Sequence, residues 1–173
     1  FAGRHYSGQR NHIHKFRKLY PDAEYVPLTA ADEPLLERFW QDYGAEFSKE
    51  SAIAKNELRL AKEMLRHLAG DWFMAGGLLH EGRLVAISMG EQCGSTMQVH
   101  IEKALGEIEG AYTMINQQFV QHACMDYKYV NREEDTGSEG LRKAKRSYRP
   151  VFMVEKGWVR EKTQDDQTQE VEK

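Results

Sequence analysis

A polar, charged turn between two predicted elements is the part of this sequence best suited to chemistry. A predicted strand ends there, and a predicted basic helix begins after two glycines, Gly137 and Gly140. The turn itself consists of Asn131, Arg132, Glu133, Glu134 and Asp135. Backbone amides and mixed charges at the start of a helix can bind an anion or an acyl carbonyl. The turn is therefore a candidate site for acyl transfer, which needs such donors.

A second set of candidate residues lies on the strand predicted over residues 96–103. Because side chains alternate along a strand, Gln98, His100 and Glu102 share the face opposite to the apolar residues. Polar side chains on a covered face need partners, and a cleft would supply them. We therefore predict that this face lines a cleft, and simple solvation of the face is the alternative. In a partly dry cleft, His100 or Glu102 could take a proton from an attacking amine.

The helix predicted after the turn carries a cluster of cationic side chains. Its members are Arg142, Lys143, Lys145, Arg146 and Arg149. Spacings of three and four residues place Arg142, Lys145 and Arg149 on one side of the helix. The cluster could bind phosphates, and a solvated basic surface helix is the alternative. We predict no metal site, because the seven histidines are scattered and the spacing of His12 and His14 separates them around a helix.

Composition and absent motifs limit the class of protein. A length of 173 residues fits one domain with appendages, and a net charge of -3 argues against nonspecific coating of nucleic acid. We expect Cys93 and Cys124 to be buried free thiols, which suits a reducing cytoplasm. No stretch approaches the ~20 apolar residues of a transmembrane helix, so we predict a cytoplasmic chain without one. The sequence lacks the Gly-x-Ser-x-Gly nucleophile elbow, the Walker motif and the Gly-x-Gly-x-x-Gly motif. It therefore lacks the motifs typical of hydrolases, nucleoside triphosphatases and dinucleotide-binding proteins.

The elements that must position these residues follow from hydrophobic periodicity. Helices are predicted at 4–20, after the N-cap Thr29, and at 51–68, 111–124 and 138–148. Strands are predicted at 24–28, 73–79, 83–92, 96–103, 127–130 and 151–155. The three middle strands form an antiparallel meander. This order predicts an α/β (α+β) fold with a mixed central sheet and helices on both faces.

The predicted order of elements resembles that of the GNAT-type N-acyltransferase fold, in which neighbouring strands splay around the donor's carbonyl. Four segments carry a more specific resemblance: RHYSGQRNHIHKF, VHIEKA, GAYTMINQQF and YVNREEDTGSEGLRKAKRSYRPVF. They resemble the bacterial domain family grouped with the phosphatidylglycerol lysyltransferase C-terminal region. A weaker similarity relates Gly140, Leu141, Lys145 and Tyr148 to a late pattern of the Fem-type aminoacyl-tRNA-dependent transferases. This similarity implies that Lys145 contacts the reacting acyl group or the donor phosphate.

The loop before the helix at 111–124 departs from the pattern typical of acetyl-CoA binding. The sequence LGEIEGAY keeps Gly106 and Gly110 but has Glu107 and Glu109 where a basic or glutamine residue usually begins the pyrophosphate loop. Two carboxylates there should repel a diphosphate. We therefore expect aminoacyl-tRNA, rather than acyl-CoA, as the donor.

Together the residues and the resemblance predict a transferase that moves an acyl group from an activated ester to an amine or hydroxyl. The predicted catalytic residues are His100 or Glu102 as the base and Lys145 as the group that stabilises the oxyanion. Substrate binding is assigned to Gln98, Asn116, Asn131, Arg132, Glu133 and Asp135. Binding of the donor phosphate is assigned to Gly137, Gly140, Arg142, Lys143 and Arg149. The alternatives are a coenzyme A-dependent N-acetyltransferase and a non-catalytic domain that binds RNA or an anionic surface.

The expected partners follow from this reaction. No cofactor beyond the donor, aminoacyl-tRNA or acyl-CoA, is predicted, and tRNA is an expected partner. The acceptor could be a small molecule, a peptide amine or a lipid head group. We expect residues 1–21 to be a basic linker helix that follows an upstream domain, residues 22–158 to be the transferase domain and residues 159–173 to be a disordered charged tail.

Overall fold

A five-stranded mixed sheet lies at the centre of the computed structural model, which describes residues 1–46, 59–60, 63–64, 73–135, 137–157 and 159. The strands are β1 (Glu24–Leu28), β2 (Phe73–His80), β3 (Arg83–Cys93), β4 (Thr96–Ala104) and β5 (Tyr129–Asn131). They lie in sequence order across the sheet, and each pair is antiparallel except β4 and β5, which are parallel. The predicted meander is confirmed.

Four helices have both bounds within the described residues: α1 (Ser7–Leu19), α2 (Glu33–Glu46), α3 (Ala111–Ala123) and α4 (Glu139–Ser147). Short 3-10 turns at Arg4–Tyr6 and Ala30–Asp32 precede α1 and α2. Thr29 caps the second turn as predicted, because its Oγ1 accepts a hydrogen bond from the amide of Ala31 at 3.3 Å. The helix predicted at 51–68 lies mostly outside the described residues.

The core forms on both faces of β3. Residues 84–90 of this strand are all buried, which for alternating side chains means that both faces are covered. Both α2 and α3 pack against β3. The other buried members of this core include Phe16 of α1, Phe39 of α2 and Ile115 of α3. The mixed sheet with helices on both faces agrees with the prediction.

A smaller apolar cluster lies where β4 meets β5. It contains Met97, Val99, Phe119 and Cys124, and it supports the end of the sheet that carries the polar turn. Burial raises the pKa of the Cys124 thiol to about 12. Cys93, however, is exposed, so its predicted burial is wrong. It is the last residue of β3 and pairs with Thr96 at the tight β3–β4 turn, where the sheet provides no cover.

The predicted final strand is also wrong, because residues 151–155 are irregular and exposed. Their apolar side chains resemble those of a strand, yet they pair with no strand of the described sheet. The strand predicted at 127–130 is shorter and begins later, as β5. Among the described residues, no helix combines the length and the apolar character needed to cross a bilayer.

Candidate functional site

A β-bulge places His100 at the edge of a cavity. Met89 of β3 faces Ile101 and Gly90 faces Val99, so His100 is the extra residue on β4. At Gly90 the strands approach so closely that a Cβ atom would lie 2.5 Å from the carbonyl oxygen of Gln98. Only glycine fits there without a shift of the backbone.

The cavity begins where the parallel pair β4–β5 ends. The last paired residues are Gln98 and Asn131, after which β5 stops while β4 continues to Ala104. The space beyond this pair is a cavity of about 1020 Å³. Its walls come from β4, the turn after β5, α4, the start of α3 and the N-terminal part of the chain. These walls include Val99, His100, Glu102, Lys103, Arg132, Glu133, Glu134, Lys145, Tyr148, Thr113, His5, Gln9 and His12.

Glu102 links three elements inside this cavity. Its Oε1 accepts a hydrogen bond from Nη2 of Arg132, and its Oε2 accepts one from Nδ2 of Asn116 at 2.9 Å. The Glu102 and Arg132 side chains are only 11% and 22% exposed, so this ion pair is largely shielded from water. Both carboxylate oxygens of Glu102 are therefore engaged in holding Arg132 and α3 to β4.

Arg132 is also covered by an aromatic ring. Its Cζ lies 4.2 Å from the centre of the Tyr148 ring, a favourable cation–π geometry. Its Nε and Nη1 are buried and have no hydrogen-bond partner among the described residues. Burial raises the pKa of the Tyr148 hydroxyl, and the positive charge of Arg132 opposes that effect.

His100 lies between two carboxylates. Its Nδ1 is 2.7 Å from Oε1 of Glu133, and its Nε2 is 3.1 Å from Oε1 of Glu91. Glu133 is itself positioned by Asn131, whose Oδ1 accepts a hydrogen bond from the Glu133 amide at 2.8 Å. Glu133, which lines the cavity, has a left-handed backbone with φ of 56°. The ring orientation of His100 is thus fixed by β3 and by the turn.

Lys145 holds the turn to α4. Its Nζ donates to the carbonyl oxygens of Arg132 and Glu134, the latter at 2.6 Å. Burial lowers the pKa of Lys145, and the neighbouring charge of Arg132 lowers it further. An ammonium group has three donors, so these two contacts leave one N–H of Lys145 for another acceptor.

A second clamp fixes the beginning of α4. Arg142 donates from Nε to Oδ2 of Asp135 at 2.5 Å and from Nη2 to Oδ1 at 3.2 Å. The amide of Gly137 also donates to Asp135 Oδ1, at 3.0 Å. These contacts, with the Arg142 hydrogen bond the strongest cause, lower the pKa of Asp135 to about 2. None of the residues of α4 is buried, and the hydrogen bonds of Arg142 and Lys145 tie this helix to the turn.

The structure divides the predicted site residues into two groups. Those that line the cavity are His100, Glu102, Arg132, Glu133, Gly140, Lys143, Lys145 and Arg149. The others lie outside its lining. Asn116 and Asn131 contact the lining residues Glu102 and Glu133, whereas Asp135 and Arg142 contact each other at the beginning of α4. Gln98 pairs with Asn131 at the end of β4–β5, and Gly137 lies in the turn.

Sequence reasoning missed the contribution of the N-terminal helical segment. Gln9 donates from Nε2 to the Oγ of Ser147 at 2.9 Å and to its carbonyl oxygen at 3.2 Å. The Tyr6 hydroxyl donates to the carbonyl oxygen of Tyr148 at 3.3 Å. Gln9 is 8% exposed, which is unusual for this residue type. The sequence did contain one sign of this contact, because Gln9 is a polar residue on the apolar side of the predicted helix.

The loop before α3 is covered by α1. A Cβ on Gly110 would lie 2.5 Å from the His12 carbonyl oxygen, so the two helices touch at this point. Glu109 pairs with Lys15 at 2.5 Å, and Glu107 pairs with Arg83 at 3.2 Å. The Glu109 amide donates to the Tyr20 hydroxyl at 3.3 Å. The loop is therefore occupied by contacts within the chain.

Comparison with known proteins gives a match over nearly the whole chain. A family model described as phosphatidylglycerol lysyltransferase, C-terminal, matches residues 1–159. A conserved protein of unknown function from Bacteroides thetaiotaomicron VPI-5482 is 38% identical, with a TM-score of 0.73. The match covers 88% of this chain and 52% of that protein, so this chain spans about half the length of that relative. No curated protein sequence matches the chain.

More distant solved structures share the fold. The aminoglycoside acetyltransferase HMB0005 from an uncultured soil metagenomic sample has a TM-score of 0.60 at 16% identity, covering 82% of this chain and 99% of that one. A possible acetyltransferase from Clostridium difficile 630 has a TM-score of 0.61 at 10% identity, covering 82% of this chain and 98% of that one. At these identities the likeness concerns the fold alone.

Proposed function

The chain belongs to the phosphatidylglycerol lysyltransferase C-terminal family, a family of transferase domains with the GNAT-like fold, and on this premise we propose that it transfers an aminoacyl group from an ester donor to an amine or hydroxyl acceptor. The observation that supports this most is the cavity beyond the β4–β5 pair. It brings an imidazole, a guanidinium and an ammonium group to the gap between two separating strands. Such groups can serve as the base and as the oxyanion donors of an acyl transfer.

His100 is the proposed general base. Its imidazole lines the cavity, and Glu133 and Glu91 fix its orientation. Glu102 is the less suitable candidate, because its ion pair with Arg132 is largely shielded from water. Both ring nitrogens of His100 also contact carboxylates, but Glu91 and Glu133 are 39% and 38% exposed, so one of these contacts can be exchanged for the attacking group. We propose that Glu102 positions Arg132 and that His100 takes the proton from the attacking group. When the tetrahedral intermediate collapses, the ester C–O bond breaks and His100 returns the proton to the hydroxyl oxygen that leaves with the donor.

Lys145 is the proposed donor to the developing oxyanion. Two of its N–H groups hold backbone carbonyls, which fixes the ammonium group at the cavity wall. The remaining N–H is available to the acyl oxygen when the tetrahedral intermediate forms. A fixed donor of this kind stabilises the transition state without reorganisation.

The donor is proposed to be an aminoacyl-tRNA. A coenzyme A diphosphate would have to approach the loop before α3, which contacts α1 and carries Glu107 and Glu109. Lys143, Arg146 and Arg149 line the other side of the cavity and can bind phosphates of a polynucleotide. The family description suggests a lysyl group and phosphatidylglycerol as the first donor and acceptor to test.

The test is a transfer assay with purified protein and radiolabelled aminoacyl-tRNAs, with lysyl-tRNA first, and with lipid, peptide and small amine acceptors. We expect His100→Gln and Lys145→Met each to lower the transfer rate by roughly 10²-fold or more. The control is Lys18→Met, which removes a cation from the exposed side of α1. Full activity of His100→Gln with a competent donor would rule out its role as base.

Two results would replace the proposal with one of its rivals. Micromolar binding of acetyl-CoA in calorimetry, with acetylation of an amine, would identify a coenzyme A-dependent enzyme. Salt-dependent binding of tRNA without turnover of any aminoacyl-tRNA would identify a non-catalytic binding domain.

A further inference from the structure

The side chain of Tyr112 shows the reverse of the burial usual for a tyrosine. A half-buried tyrosine commonly buries its ring and keeps its hydroxyl in water. Here the hydroxyl hydrogen-bonds with the Tyr43 side chain and with the backbone of Ala104, whereas the residue as a whole is 44% exposed. Burial is the main cause that raises the pKa of Tyr112 to about 12. The exposed part of this side chain is therefore its ring.

The exposed ring is fixed in place at one wall of the cavity. Tyr112 lies in the first turn of α3 and lines the cavity. Its two hydroxyl contacts tie it to the last residue of β4 and to α2. A side chain held at its tip has little freedom left to lose, so a flat ligand can pack on this ring at a low entropic cost.

The side chains beside this ring are polar. Lys103 is close enough that its charge opposes the rise in the pKa of Tyr112, and its Nζ lies 5.7 Å from the centre of the Tyr43 ring. Thr113 shares a hydrogen bond with the Tyr148 hydroxyl, and both residues line the cavity. A hydrocarbon chain packed here would take these polar groups out of water without offering them partners. A flat heteroaromatic ring can instead stack on Tyr112 and still form hydrogen bonds at its edge.

The ring lies about one nucleoside away from the proposed reacting groups. At a rise of about 3.3 Å per residue, the part of β4 from His100 to Lys103 spans roughly 10 Å. One ribose and one base together cover a distance of that order. The cations of α4 line the other side of the cavity. A nucleotide whose ribose carries the acyl ester would therefore place its base at Tyr112, its ester near His100 and its phosphate at α4.

We propose that Tyr112 is the stacking platform for an adenine base, the base of the nucleoside that carries the acyl group. This inference rests on the proposed function, because it takes the donor to be an ester of a ribose. Stacking uses the π face of the base, and the exposed ring of Tyr112 offers the matching face. Adenine ends a tRNA and is also part of coenzyme A, so the two sources share this chemistry and the test separates them.

The test uses a donor analogue that binds but cannot react. An amide replaces the ester between its lysyl group and the ribose, and its base is 2-aminopurine, whose fluorescence falls when it stacks on an aromatic ring. We expect the wild-type protein to quench this fluorescence. Tyr112→Leu should remove most of the quenching and weaken binding of the analogue by roughly tenfold or more. Tyr112→Phe keeps the ring, so it should retain the quenching and bind within about threefold of wild type.

Two controls separate stacking from loss of structure. Tyr127→Leu removes a tyrosine that is not part of the cavity lining and whose hydroxyl donates to Oε1 of Gln92 at 3.3 Å. This variant should leave binding and quenching unchanged. A donor analogue without a base should bind wild type and Tyr112→Leu equally, because the substitution then removes no stacking contact.

Competition on the wild-type protein identifies the source of the adenine. Displacement of the donor analogue by a short RNA that ends in CCA would assign the base to tRNA. Displacement by coenzyme A at micromolar concentration would assign it to that donor, which supports the adenine subsite and replaces the donor proposed above.

Several outcomes would overturn the stacking proposal. They are binding to wild type without quenching, quenching that survives Tyr112→Leu, and an equal effect of Tyr112→Leu on the analogues with and without a base. Transfer from lysyl-tRNA by a protein that does not quench the donor analogue would refute the adenine subsite and leave the reaction standing. Quenching that depends on Tyr112, without transfer from any aminoacyl-tRNA, would support the subsite and refute the reaction.

Discussion

Glu102 and Arg132 differ from the other ion pairs at this site because little water reaches them. Arg132 joins the polar turn to β4 through Glu102 and to α4 through the Tyr148 ring. Asn116 adds α3 to the same group. Breaking such a pair leaves a largely buried charge without its partner, which costs more than the intact pair contributes.

We therefore predict that Glu102→Gln lowers the free energy of unfolding by about 1–3 kcal/mol. The substitution keeps the shape of the side chain but removes the charge that faces Arg132. Urea denaturation followed by circular dichroism would measure the loss. Lys15→Met is the matched control, because it breaks a pair whose partners are 53% and 50% exposed, and it should cost under about 1 kcal/mol. Equal losses for both variants would contradict the assignment.

Asp135 gives a prediction that depends on pH. Its folded-state pKa is about 2, below the ordinary value of 3.8, so the unfolded chain binds this proton more readily. The stabilisation by its carboxylate is therefore present above about pH 4 and is lost as the pH falls toward 2. Carboxyl carbon NMR shifts would report the titration. Arg142→Met should move the Asp135 midpoint upward, and an unchanged midpoint would show that Arg142 is not the main cause.

At the scale of elements, the site depends on how β3, β4 and β5 meet. The bulge at His100 and the close approach at Gly90 occur at the same register position. Beyond this position β4 continues without β5, and α4, none of whose residues is buried, covers the gap. A change in the spacing of β3 and β4 should therefore affect both stability and the cavity.

Gly90→Ala tests that spacing. Its Cβ would meet Gln98 O at 2.5 Å and Met97 Sδ at 2.9 Å, so we expect a loss of about 1–3 kcal/mol in unfolding free energy. Gly140→Ala is the control, because its Cβ meets nothing within 4 Å in α4, and it should stabilise by up to about 1 kcal/mol. Thermal and urea unfolding would measure both. A Gly90→Ala protein as stable as wild type would show that the strands can separate at no cost.

The elements also show how far sequence reasoning reaches. The alternation of side chains predicted β2, β3 and β4 nearly to their ends, because an antiparallel meander is a local structure. Residues 151–155 carry the same signal without forming a strand, since a strand also needs a neighbouring edge and that is a long-range property. A bulge changes the register by one residue, which alternation cannot predict at His100.

The candidate site was predictable as a region but not as a set of contacts. The sequence indicated the polar turn and the polar face of β4, because charged residues at strand ends rarely serve packing. It gave no sign that Asn116 and Arg132 meet the same carboxylate, since the three residues lie on different elements. The catalytic and binding roles of these residues stay predictions.

At the scale of the whole molecule, α1 is packed into the domain. Ile13 and Phe16 belong to the main core, and α1 contacts α3 and the end of α4. Its basic side faces outward. The stability of the domain and the shape of the cavity should therefore both depend on this segment.

Phe16→Ala should lower the free energy of unfolding by about 3–5 kcal/mol, because a side chain only 1% exposed leaves a cavity in the core. Leu19→Ala, three residues later and 48% exposed, should change it by less than about 0.5 kcal/mol. Denaturant unfolding would compare the two. Similar small effects would indicate that α1 is a separable segment.

The hydrogen bonds from α1 to the end of α4 have a consequence for biosynthesis. They join residues 138 and 142 positions apart in the sequence, so the ribosome must release almost all of the domain before they can form. The sheet and its apolar layers can assemble while translation is still in progress. The cavity is therefore completed last, after the sheet and core of the new domain have formed.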